Sequence, residues 1–124
     1  MLSKRDPIIV ATVAALAFAA PALADTWSAA YDNTIVSTYD TGKVVDVYVE
    51  PDHSYTIVPR DGSEEITGTW DDATGKSCFT IKEPASYAGG DPLCFEIRNY
   101  KVGDTFEGAD STGHFKAEIV KGRS

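Results

Sequence analysis

The chain has 124 residues, with 19 acidic side chains against 11 basic ones and a formal net charge of −8. A surface so acidic repels phosphate backbones and anionic lipid headgroups, which excludes nucleic acid and membrane surfaces as charge-recruited partners. It permits a basic partner, divalent cations or plain solvation.

Lys4 and Arg5 open the chain with positive charge, residues 8–20 run without any charge, and Pro21 breaks that run before Ala22-Leu23-Ala24. This is the three-part layout of a secretory signal peptide with small residues ahead of the cleavage point. The apolar run falls short of the roughly 20 residues a spanning helix needs. Residues 1–24 therefore read as a cleaved leader, with no membrane anchor left after cleavage. Residues 25–124 read as one small domain, periplasmic or secreted, and monomeric. Losing Lys4, Arg5 and Asp6 takes its net charge to −9.

In Asp25 to Asn33, Trp27, Ala30 and Tyr31 fall at i, i+3 and i+4, and Asp25 is placed to cap. The segment is either a single helical turn over one end of the domain or an extended lead-in. Period-2 strands separated by turn residues follow. Thr34–Tyr39 is β-branched and aromatic. Val44–Glu50 puts Val45, Val47 and Val49 on one face. Ser54–Val58 carries Tyr55 and Ile57 inward, and Glu65–Asp71 carries Ile66, Gly68 and Trp70.

Lys76–Lys82 directs Phe79 and Ile81 inward, and Pro92–Asn99 directs Leu93, Phe95 and Ile97 inward. Cys78 and Cys94 then share the polar face, as a cross-strand staple would require. Two cysteines in an exported chain point to one disulfide. Closing a loop of about 15 residues contributes roughly 3 kcal/mol. Thr105–Ala109 and His114–Lys121 form a final hairpin around Asp110-Ser111-Thr112-Gly113.

These are eight short strands with hairpin connections. One apolar face and two edges must be covered, and closure does both. The expected fold is all-β, an antiparallel meander forming a small up-and-down barrel or half-barrel, with a β-sandwich as the alternative. Tyr55, Trp70, Phe79, Phe95 and Phe106 are bulky enough to be expected to fill its interior.

Chemistry leaves few marks. Nucleophilic catalysis needs a base beside Ser, Cys or Thr, and the two histidines, His53 and His114, both fall at turns or strand ends. Zinc requires at least three His or Cys ligands, more than two histidines and a bridged pair supply. The acids of Asp40, Asp61, Asp72 and Asp110 have turn roles, and no pair shows the asymmetry of a hydrolase. The expectation is a protein that is not an enzyme and carries no metal or other cofactor. Tyr48 on an outward face and Tyr87 in the long loop 83–91 are candidate contacts for a partner.

The runs Gly68-Thr69-Trp70, Cys78-Phe79-Thr80-Ile81, Cys94-Phe95, Val102-Gly103-Asp104-Thr105-Phe106 and Asp110-Ser111-Thr112-Gly113 resemble small exported β-barrel proteins of Proteobacteria. More remotely, the chain is similar to periplasmic metalloprotease inhibitors, small barrels that combine a Gly-x-Trp strand with one disulfide. There the Gly-x-Trp lies near the mature N-terminus, whereas Trp70 lies mid-chain. That resemblance implies that an N-terminal segment, here around Trp27, enters a protease cleft. The resulting expectation is a barrel that binds another macromolecule, an envelope protein such as a hydrolase it inhibits. The alternative is a lipocalin-like carrier of a small apolar ligand, which demands an interior larger than the aromatic residues fill.

Overall fold

Phe115, Ala117 and Ile119 are buried while His114, Lys116 and Glu118 between them are exposed. That period of two is what one wet and one dry sheet face impose on a strand. The computed structural model describes residues 26–123. The expected leader, residues 1–24, lies outside the described residues, as does Asp25.

Eight strands follow one another: β1 Thr34–Tyr39, β2 Val44–Val49, β3 Ser54–Pro59, β4 Ile66–Asp71, β5 Lys76–Glu83, β6 Leu93–Glu96, β7 Thr105–Asp110 and β8 Gly113–Val120. They form one antiparallel sheet in the order β6-β5-β4-β3-β2-β1-β8-β7. The pairing of β1 with β8, from Thr34 opposite Val120 to Tyr39 opposite Phe115, curls the meander back on itself. The result is the expected up-and-down barrel, nearly closed. A single continuous sheet removes the sandwich alternative.

The barrel stops one ladder short of closure. No pairing joins β6 to β7 among the described residues. Side chains bridge that seam instead: the Phe95 ring on β6 meets the Phe106 ring on β7 edge to face at 5.2 Å. Curvature elsewhere is helped by a bulge where Thr67 pairs with Glu83 but Gly68 with Ile81. Gly68 lies under the ring of Tyr55, its partner on β3, and a Cβ there would fall onto the Thr80 carbonyl oxygen.

One end is plugged. The N-terminal segment adopts the turned form, a 3-10 turn over Ser28–Ala30. Its N-cap position is Trp27, while the expected cap, Asp25, lies outside the described residues. Trp27 itself enters the barrel and is 0% exposed. Its indole N–H donates to Ser77 Oγ at 2.7 Å, and its ring stacks on Tyr100 at 4.4 Å. Arg123 clasps this end from outside, with Nη1 2.7 Å from Glu50 Oε2 and Nη2 donating to the carbonyls of Tyr31 and Val49.

The sixth strand is shorter than its pattern implies. It ends at Glu96, and Ile97 is 41% exposed, not inward. The chain leaves the sheet there because Tyr100 turns in to cover Trp27, with its hydroxyl donating to the Glu96 carbonyl at 2.8 Å. Cys78 and Cys94 sit directly opposite each other on β5 and β6 and are bonded. This is the cross-strand staple on the outer face.

Candidate functional site: an apolar cavity in the barrel

In an up-and-down barrel alternate turns share an end. The β1–β2, β3–β4, β5–β6 and β7–β8 connections therefore lie opposite the Trp27 plug, and that end is open. Behind it lies a cavity of about 460 Å³. Trp27 and Phe79 reach into its floor. Ile35, Val45, Val47, Ile57, Ile81 and Leu93 form much of its wall. Tyr87, Asp91, Asp110 and Ser111 surround the mouth.

The interior is therefore not the filled core that its aromatic residues lead one to expect. Their distribution explains why. Trp70 packs toward the plugged end, stacked on His53 at 4.2 Å with its N–H donating to the Glu50 carbonyl at 3.2 Å. Phe79, Phe95 and Phe106 gather around Trp27, at ring separations of 5.5, 6.0 and 5.4 Å. These rings crowd the plugged half of the barrel and leave the other to shorter aliphatic chains, with Tyr39 and Phe115 packed together toward the mouth. Val47, Ile57, Leu93, Phe95 and Phe106 face inward yet are only partly buried, because they front the cavity.

Three polar groups interrupt the apolar wall. Ser37 is 5% exposed and Tyr55 3%, and no group among the described residues hydrogen-bonds either hydroxyl. Burial alone pushes the Tyr55 phenol from 10.0 up to about 12. Nearer the mouth, the Tyr39 hydroxyl donates to Asp110 Oδ2 at 2.7 Å. Burial first, and then the bond to the Asp110 carboxylate and its charge, hold Tyr39 well above the ordinary phenol range. All three hydroxyls are thus neutral donors at physiological pH.

Of the residues singled out from the sequence, Trp27 and Tyr87 meet at this cavity, one at its floor and the other, 53% exposed, at its mouth. Trp27, expected as a partner contact, is buried inside the barrel and leaves no surface for a docking protein. Tyr48 lies apart, half-buried outside the barrel under the Arg123 guanidinium at 5.1 Å. His114 sits near Glu107 Oε1 at 3.0 Å and Asp40 Oδ2 at 3.6 Å on the exterior. His53 stacks on Trp70, and neither histidine lines the cavity. Among the described residues no cluster of His, Cys, Asp and Glu could hold a metal ion.

Sequence reasoning missed Ser37, Tyr39 and Asp110. The signal for Ser37 was present, since it alternates with Ile35 and Tyr39 on the buried face. Asp110 was read as a turn residue, and its Oδ1 does accept the Thr112 N–H at 2.8 Å. Its second oxygen does the other task. The fold and site define a small disulfide-bonded β-barrel with one end plugged and an apolar cavity open at the other. Comparison with protein families, curated proteins and solved structures returns no match.

Proposed function

We propose that this chain is an exported binding protein that holds a small apolar molecule in its barrel cavity, without a chemical step. The observation that carries the reading is the cavity itself: about 460 Å³, walled by aliphatic and aromatic side chains, with unbonded hydroxyls inside. Ligand sites typically occupy about 300–1,000 Å³ and combine an apolar wall with a few placed polar groups. The competing inhibitor reading needs Trp27 at a protein surface, and its complete burial removes that support. The leader pattern of residues 1–24 and the Cys78–Cys94 bond favour an oxidising compartment outside the cytoplasm, where such a carrier would meet its ligand.

Titration with the neutral dye N-phenyl-1-naphthylamine tests this. Emission should rise and saturate at one dye per chain. Val47→Trp, which places a large ring in the cavity, should weaken binding at least about tenfold while the circular-dichroism melt remains cooperative. Unsaturable or absent enhancement with the parent protein would refute the reading.

A further inference from the structure

The cavity carries information about the charge of what it holds, given the reading above that it is a ligand site. We infer that its occupant is uncharged or amine-bearing, with a hydrogen-bonding group on an apolar body, and that anionic amphiphiles are turned away.

The carboxylates on the lining are those of Asp91 and Asp110, and no lysine, arginine or histidine lines it. A bound carboxylate needs a cation or converging N–H donors before it, and here it would face acids. The turns around the open end reinforce this. Asp40, Asp61, Glu64, Glu65 and Glu83 stand there against Lys43, Arg60 and Lys82. Arg60 is already engaged on the outer face by both oxygens of Asp46, at 2.8 and 3.1 Å. Lys43 acts on Asp61, whose carboxyl is lowered first by its bonds to Ser63 and in lesser part by that lysine. Acids thus outnumber bases at this rim, and one of its bases, Arg60, is already paired.

Inside, the unbonded hydroxyls of Ser37 and Tyr55 can each donate or accept. Both open onto the cavity, and an occupant that covers them without offering a partner leaves them unsatisfied, which is costly. A ligand that brings a hydroxyl, carbonyl or amine avoids that cost, whereas a pure hydrocarbon incurs it. Tyr39 is committed to Asp110 and fixes that carboxylate at the rim.

Decanol, decylamine and decanoate share one chain and differ in charge. Each should be used at low salt to displace N-phenyl-1-naphthylamine from the purified protein with its disulfide formed. Decanol and decylamine should compete within a few-fold of each other. Decanoate should be at least tenfold weaker, since a like charge about 6 Å away at an effective dielectric of about 40 costs roughly that factor. Asp91→Lys, in an exposed loop, should move the decanoate-to-decanol ratio several-fold toward decanoate. Ser37→Ala combined with Tyr55→Phe should weaken decanol several-fold. Decanoate competing as well as decanol, or a ratio indifferent to Asp91→Lys, overturns the charge assignment and leaves the cavity reading intact. Unchanged decanol affinity in the double variant overturns the hydrogen-bonding assignment. A protein that binds no dye at all overturns both readings.

Discussion

Tyr39 and Tyr55 are held in the barrel as neutral phenols by different means. Tyr55 is raised to about 12 by burial alone, while Tyr39 adds the Asp110 bond and its negative charge to the effect of burial. In the unfolded chain both ionise near the ordinary value of about 10. A folded-state value raised above the unfolded one gives stability that is complete below the unfolded value and lost as pH rises through the folded value. Stability to urea should therefore hold level to about pH 9.5 and fall from about pH 10 toward 12. Tyr55→Phe should flatten part of that fall and leave the part due to Tyr39. Urea midpoints measured from pH 8 to 11.5 decide the matter, and parallel profiles for parent and variant would contradict it.

At the scale of strands, two inner-face glycines are spacers for rings. Gly68 faces Tyr55 and Gly108 faces Phe115, each across a ladder. At Gly108 an added Cβ would lie 2.6 Å from Phe115 Cζ and 3.1 Å from Phe95 Cε1. Overpacking of this kind costs about 1–3 kcal/mol. Gly108→Ala should lower the melting temperature accordingly, and an unchanged melt would show that the seam yields freely. The strands themselves were legible, because alternation at Ile35–Tyr39 and Phe115–Ile119 is a local property. The end of β6 was not. Ile97 continues the alternation of Leu93 and Phe95, but the outcome is set by Tyr100 covering Trp27, a partner far away in the chain. The pairing of Cys78 with Cys94 was legible for the opposite reason: parity along two neighbouring strands places both on the outer face.

For the molecule as a whole, the residue types announce a barrel with large rings but not where those rings collect. Which half stays empty depends on Trp27 and Tyr100 drawing Phe79, Phe95 and Phe106 to the plugged end, a packing outcome that no local pattern contains. The same arrangement makes the disulfide matter beyond its loop entropy. Strand β6 has four residues, paired to β5 on one side and facing only the unladdered seam on the other. Its Leu93 and Phe95 are part of the cavity wall. Replacing Cys78 and Cys94 together by serine should cost about 3 kcal/mol of global stability. It should also release β6 locally, since an edge strand without its bridge opens at lower free energy than the barrel. Hydrogen exchange should then quicken at residues 93–96 more than at β1 or β8, and binding of N-phenyl-1-naphthylamine should weaken in step. Uniform acceleration across all strands would instead mean that the bridge stabilises only the whole fold, with the cavity wall able to hold its shape unaided.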